Sequence, residues 1–334
     1  MASKPITPDK ITINGLEKPV TRIALGTWAI GGWMWGGPDD ANAIKTIHKA
    51  VEEGINLIDT APVYGFGHSE KVVGEAVAQL PASQKPYIAT KLGLNWNEDH
   101  KPFRDSRPQR IRQEVEDSLK RLRVEVLDLV QVHWPDAKTP IAETASALND
   151  LRKEGKIRAL GVSNYSTAQM DEFRKEAPLS TSQDPFNIFE TAIEKTVIPY
   201  AEKNDMDVLA YGPLCRGLLT GKITADTTFP EGDLRRMDPK FQPENLRNYV
   251  NAVKALEALA ASQGKTVLSL AIRWVLDQGP TIALWGARKP AQVEGVKDAL
   301  GWTLSPEIAR EVSSIVTKYI PTPIDASFMA PPNR

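Results

Sequence analysis

The chain has 334 residues, 41% hydrophobic and 25% charged, the mix of a globular protein with a sizeable core. Its net charge of −1 offers no field to attract nucleic acid or an anionic membrane. No apolar run is long enough to span a bilayer, and the single cysteine, Cys215, excludes an internal disulfide and a cysteine-based metal cluster. The start, Met1-Ala2-Ser3-Lys4-Pro5, lacks the apolar core of a signal peptide, so the cytoplasm is the expected compartment.

Strand-like and helix-like patterns alternate along the chain. Strands are expected at 22–26, 55–59, 86–91, 127–132, 158–162, 180–183, 207–211 and 281–285. A helix from about Asp39 puts Ile44, Ile47, Ala50 and Val51 on one face and stops at Gly54. A second lies near 70–77. Ser106 and Pro108 open a third, with Ile111, Val115, Leu119 and Leu122 in one stripe. Thr139-Pro140 opens a fourth that ends at Gly155. Ser166 with Gln169 forms a capping box for a fifth, and another covers 192–203. Val267, Leu270, Ala271, Trp274 and Val275 mark a helix that ends at Gly279. Eight strands alternating with helices predict an α/β fold, a closed (β/α)8 barrel, with residues 1–334 as one domain. Residues 212–243 break the rhythm with many glycines and prolines and no clear helix. A loop this long after the seventh strand reads as a cofactor cover, the bland alternative being a disordered insertion. A tail follows at 319–334.

Three consecutive strands end in functional side chains. Asp59 closes the second, with Tyr64 in the loop behind it; Lys91 closes the third and His133 the fourth. In a barrel such strand ends share one mouth. A phenol held beside an ammonium and a carboxylate makes a general acid of tuned pKa, and an imidazole can donate to a developing oxyanion. Each residue alone reads as a cap, a surface group or a solvated strand end; together they point to proton transfer. Lysine inside a barrel also suits a Schiff-base aldolase, which needs no Asp59/Tyr64 pair.

These residues sit in motifs that resemble the aldo-keto reductases: Asp59-Thr60-Ala61-Pro62-Val63-Tyr64-Gly65, Lys91, His133, Gly161-Val162-Ser163-Asn164, Gln183, Tyr211-Gly212-Pro213-Leu214, Gly217-Leu218-Leu219-Thr220-Gly221-Lys222, Gly286-Ala287-Arg288-Lys289-Pro290 and Gln292. Within that family the chain is most similar to a bacterial branch of general stress proteins and NADPH-dependent glyceraldehyde reductases (glycerol dehydrogenases). Gly26-Thr27-Trp28, Val132-His133-Trp134-Pro135, Leu284-Trp285-Gly286 and the tail Phe328-Met329-Ala330-Pro331-Pro332 carry this likeness.

The resemblance implies metal-free, NAD(P)H-dependent interconversion of carbonyls and alcohols. Tyr64 would be the proton donor, Lys91 and Asp59 its partners, and His133 would orient the carbonyl. The cofactor contacts implied are Thr27, Trp28, Ser163, Asn164, Gln183, Tyr211, Gly212 and Gln292. Phosphate sites in barrels lie after strands seven and eight. Leu214, Cys215, Arg216, Leu219 and Lys222 supply one here, and Gly286, Ala287 and Arg288, with Lys289 before an expected helix, supply the other. Arg288 suits a 2′-phosphate, which favours NADPH, and Arg235 and Arg236 lie in the long loop nearby. Gly295 and Val296 stand where many relatives carry Glu-Asn toward the adenine. Trp28, Phe66 and Trp134 form an expected aromatic wall for a small aldehyde such as glyceraldehyde or methylglyoxal; Trp33 and Trp35 join it or pack helices and loops, and the tail around Phe328 folds over the pocket or is loose. Some relatives act as redox-sensing channel subunits. That reading needs a membrane partner and slow turnover. Monomers and larger assemblies both have precedent.

Overall fold

The computed structural model describes residues 8–334. Met1 to Pro5, on which the signal-peptide expectation rests, lie outside the described residues. Eight parallel strands close into a barrel: Ile23–Gly26, Leu57–Asp59, Tyr87–Leu92, Leu127–Val132, Ile157–Ser163, Thr181–Pro185, Asp207–Tyr211 and Thr281–Gly286, numbered one to eight below. Strand eight pairs with strand one, Ala283 opposite Ile23 and Gly286 opposite Gly26, and no barrel edge remains. All eight expected strands are present, within two residues of their expected ends.

Side chains alternate across each strand. Ala24, Leu57, Ala89, Leu129, Ala159, Leu209, Ile282 and Leu284 point inward and form an apolar floor. A short antiparallel pair, Lys10–Ile11 with Val20–Thr21, closes that floor from below with Ile13, Leu16 and Val20. Two residues on, the inward positions turn polar: Asp59, Lys91, Gln131 and Gln183. The outward set, including Ile58, Ile88, Val130, Val162 and Val208, packs against the helical ring.

The expected helices appear at Asp40–Glu52, His68–Ala78, Pro108–Leu122, Ile141–Lys153, Thr167–Arg174 and Val267–Leu276. Asp39 and Ser166 cap the first and fifth through Asn42 and Gln169. The helix expected over 192–203 is broken. A 3-10 turn, Ala192–Lys195, is separated from Val197–Lys203 by Thr196, whose ψ of −77° leaves the helical region. Two helices were not foreseen: Pro243–Ser262 and Pro306–Tyr319. The first carries its own signal, since Leu246, Tyr249, Val250, Val253 and Leu256 are buried at helical spacing.

Residues 212–242 contain three 3-10 turns, Cys215–Thr220, Leu234–Arg236 and Pro239–Phe241. They are packed, with Leu218, Leu219, Leu234 and Phe241 buried. A balanced charge cluster pins them to the barrel: Arg216 pairs with Glu190 and with Asp238 at 2.5 Å each, and Lys240 pairs with Glu190 at 2.8 Å.

Candidate active site

Asp59 ends strand two, and Lys91 sits on strand three facing it. Lys91 Nζ donates to Asp59 Oδ1 at 2.5 Å, to the Thr60 carbonyl at 3.1 Å and to the Tyr64 hydroxyl at 3.2 Å. All three side chains are buried. Tyr64 is held by a tight turn. Gly65 has φ 67°, and a Cβ there would lie 2.1 Å from the Gly31 carbonyl oxygen, so only glycine lets the two loops approach. The hydroxyl of Ser69 binds those of Thr27 at 2.8 Å and Thr60 at 2.9 Å and ties the loops after strands one and two together. His133 follows strand four, and its ring meets Tyr64 edge-on at 5.8 Å. Trp28 stacks on Tyr64 at 5.9 Å.

Burial, and then Asp59, push the Tyr64 phenol well above its usual pKa. The sequence argument expected Lys91 to lower it. Here Lys91 is paired with Asp59, so the ammonium's charge is largely cancelled at the phenol. Burial pulls Lys91 down while Asp59 holds it up. Burial, then Lys91, hold His133 well below its usual value, so its imidazole is neutral near pH 7.

The fifth to seventh strand ends are cross-linked. Asn164 has φ 61° and donates to the His133 carbonyl at 3.1 Å and to Ser163 Oγ at 2.9 Å, while Tyr211 donates to its Oδ1 at 2.9 Å. Gln183 donates to Asp59 Oδ2 at 2.9 Å.

Other expected contacts are placed differently. The Arg216 guanidinium is committed to Glu190 and Asp238, so its charge does not face the mouth. Cys215 is buried with its thiol pushed up to about 12, and Leu219 and Thr27 are also buried. At these positions only backbone groups remain for a phosphate. The helix expected after Lys289 is a 3-10 turn, Pro290–Gln292, too short to supply a helix dipole. Gln292 accepts from the backbone amides of Arg288 at 2.8 Å and Lys289 at 3.0 Å instead of reaching outward. The Arg288 side chain donates to the Trp35 carbonyl. Arg235 pairs with Asp233 and packs on Phe229 at 4.2 Å; Arg236 is exposed.

A dinucleotide fits the residues present. Gly286 is exposed at the end of strand eight, with no atom within 4 Å of where a Cβ would stand. Beside it are the cations of Arg288 and Lys289, and Lys222 is exposed after strand seven.

The aromatic wall is larger than expected. A hairpin after strand three, Leu94–Trp96 with Pro102–Arg104, brings Trp96 to 5.4 Å and His100 to 4.4 Å from Phe66; Trp33 joins at 5.2 Å. Leu92-Gly93-Leu94-Asn95-Trp96 was the missed signal, a strand-like alternation running on past Lys91. The tail reaches this hairpin: Arg104 donates to the Pro332 carbonyl at 2.9 Å and to the Pro331 carbonyl at 2.8 Å. Phe328 lies 5.7 Å from the Arg216 guanidinium, over the seventh-strand loop. Among the described residues no helix is long and apolar enough to cross a membrane.

The profile of the aldo/keto reductase family matches residues 22–317. The solved glycerol dehydrogenase AKR11B4 of Gluconobacter oxydans superposes with a TM-score of 0.89 at 62% identity, covering 96% of this chain and 99% of that one. Aldo-keto reductase YhdN of Bacillus subtilis is 51% identical over 97% of this chain and 98% of its own. The NADH-specific methylglyoxal reductase of Escherichia coli is 38% identical over 89% of this chain and 94% of its own. The chain therefore belongs to the aldo-keto reductase family, nicotinamide-dependent oxidoreductases that act on aldehydes and alcohols.

Proposed function

We propose that this protein is a cytoplasmic NADPH-dependent reductase of small aldehydes such as glyceraldehyde, reversible as a glycerol or alcohol dehydrogenase. The observation that carries the proposal is Lys91 Nζ, which bridges Asp59 Oδ1 and the Tyr64 hydroxyl in a buried site. When bound, the reduced nicotinamide supplies the hydride to the carbonyl carbon. Tyr64 Oη gives its proton to the carbonyl oxygen, and its raised pKa keeps that proton in place until charge develops. Lys91 Nζ donates a hydrogen bond to the phenolate left behind, and Asp59 holds Lys91 in position. The neutral His133 donates a hydrogen bond to the same carbonyl oxygen and orients it.

Ser163, Asn164 and Gln183 would hold the nicotinamide carboxamide, with Tyr211 and Trp28 along the ring. Backbone amides of Gly212, Leu214, Cys215, Arg216 and Leu219, with Lys222, would hold the pyrophosphate, and Gly286, Ala287 and Arg288 the 2′-phosphate. The partial exposure of the Arg288 side chain supports NADPH over NADH. Trp28, Phe66 and Trp134 would line the substrate with Trp96. An all-aromatic wall favours short, uncharged carbonyl compounds, the chemistry named in the glycerol dehydrogenase and methylglyoxal reductase relatives.

The test is NADPH consumption with glyceraldehyde, for the protein and for Tyr64→Phe. Turnover that collapses in the variant supports the proposal, and turnover that survives overturns the role of Tyr64. Faster consumption of NADH than of NADPH would reverse the cofactor assignment. Borohydride trapping of substrate on Lys91 would instead support Schiff-base chemistry, which the Asp59 contact opposes by engaging the amine.

A further inference from the structure

Asp59 has two carboxylate oxygens, and Lys91 uses only Oδ1. Oδ2 accepts from two buried amides, Gln183 Nε2 at 2.9 Å and Gln131 Nε2 at 3.4 Å. Gln131 stands on strand four, two residues before His133, and is 0% exposed. Its Oε1 lies 3.4 Å from Gln183 Nε2 and 3.5 Å from Thr181 Oγ1, both on strand six. Strands two, four and six are thus joined through one side chain. The room for it comes from strand five. A Cβ at Gly161 would stand 2.8 Å from Gln131 Cγ and 2.2 Å from Thr181 Oγ1.

An amide buried at this depth is unfavourable unless its donor and acceptor are both used. One layer below, the same strand fills the barrel with Leu129, so an aliphatic residue is the simple solution for packing. The polar residue at 131 therefore points to the Asp59 carboxylate.

We infer that Gln131 is a positioning residue for proton transfer: it donates to Asp59 Oδ2 and accepts from Gln183, so fixing both the carboxylate that holds Lys91 and the rotamer of Gln183. This rests on the proposed roles of Tyr64 and Lys91. Two consequences follow. Donors on Oδ2 disperse the carboxylate charge, which otherwise acts fully on the Tyr64 phenol. With Nε2 of Gln183 committed to Asp59, Oε1 is the atom left for the nicotinamide carboxamide. Gln131 thereby links the cofactor side of the mouth to the proton-transfer side without touching either substrate.

The test uses Gln131→Met, which keeps the shape but neither donates nor accepts, and Gln131→Glu, whose carboxyl, buried beside Asp59, stays protonated and keeps a donor. Glycerol oxidation by NADP+ is followed from pH 6 upward until the wild-type rate levels off, beside Tyr64→Phe and thermal midpoints at each pH. In this direction Tyr64 must first lose its proton, so the rate rises with pH. The rising limb in Gln131→Met is expected to move upward by about one pH unit, the effect of losing a hydrogen bond to a charged group. The kcat would fall roughly tenfold at pH 7 and recover at high pH. Gln131→Glu should shift it less, because its carboxyl proton still reaches Asp59 Oδ2. Alkaline recovery separates this role from a purely structural one, which pH would not repair. A folded Gln131→Met with the wild-type limb would overturn the inference while leaving Tyr64 untouched. Failure of both to fold would assign Gln131 to structure and overturn it equally. A Tyr64→Phe enzyme with full turnover would instead remove the reading beneath it.

Discussion

The Lys91 ammonium lies 3.2 Å from the Tyr64 hydroxyl, with its own side chain wholly buried. The contact holds the phenol proposed as the proton donor against a buried ammonium. Tyr64→Phe is therefore expected to lower the rate of aldehyde reduction by about a hundred- to ten-thousand-fold, the range for loss of a general acid. Lys91→Met should do the same. Because burial and Asp59 raise the phenol's pKa, Tyr64 stays protonated through neutrality, and wild-type reduction should be nearly flat from pH 6 to 8. A sharp fall of kcat in that window, measured with saturating cofactor, would count against the assignment.

Glu190 holds two buried cations, Arg216 at 2.5 Å and Lys240 at 2.8 Å, and also accepts from Asn187 at 2.6 Å. Glu190→Gln leaves a net positive charge in the interior. Breaking one partner of such a cluster costs about 3–5 kcal/mol. Urea unfolding should report a loss of that order. The loop after strand seven is anchored by this cluster, so KM for NADPH should rise while kcat changes less.

Arg288 is the cation proposed for a 2′-phosphate. Arg288→Ala should raise KM for NADPH roughly 10- to 100-fold, the loss of one or two charge-assisted hydrogen bonds, and leave KM for NADH nearly unchanged. Equal effects on both cofactors would show that the side chain serves the loop, through the Trp35 carbonyl, and not the phosphate.

The barrel was legible because each strand is a short apolar run punctuated by turn residues, and Asp59, Lys91 and His133 were legible because they follow such runs directly. What was not legible depends on contacts distant in sequence. Nothing local to Arg216 announces that Glu190, 26 residues away, and Asp238 take its guanidinium from the mouth. Gln131 lies in a run that reads as plain strand, and only its register opposite Gly161 reveals the polar layer. The same holds for the tail. Phe328 was expected either to fold over the pocket or to be loose; it packs on the Arg216 loop, and residues 331–334 go on to the hairpin that carries Trp96.

That route gives the tail a test. Arg334 pairs with Asp105 at 3.6 Å and with Asp136 at 3.4 Å, and Arg104 binds the Pro331 and Pro332 carbonyls. Deleting residues 325–334 should loosen the hairpin and raise KM for the aldehyde several-fold, with Trp96→Ala acting in the same direction. Kinetic constants unchanged by the deletion would remove the tail from the substrate site.

Asp184 provides a pH test independent of catalysis. Its side chain turns away from the barrel interior and accepts from Ser182 Oγ at 2.5 Å, and burial raises its pKa from 3.8 to about 7. Between those values the folded protein keeps a proton that the unfolded chain has lost. Stability therefore falls as pH rises through that window and levels off above about 7. The loss from this one group is at most about 4 kcal/mol, and Glu114 and Asp207, each raised to about 7 chiefly by burial, act in the same direction. Asp184→Asn keeps an acceptor for Ser182 and removes the titration. The variant should melt several degrees above wild type at pH 8, and the difference should shrink through pH 5 and vanish below about pH 4. A difference independent of pH would mean that Asp184 is ionised at neutrality in the folded protein, held by groups other than Ser182.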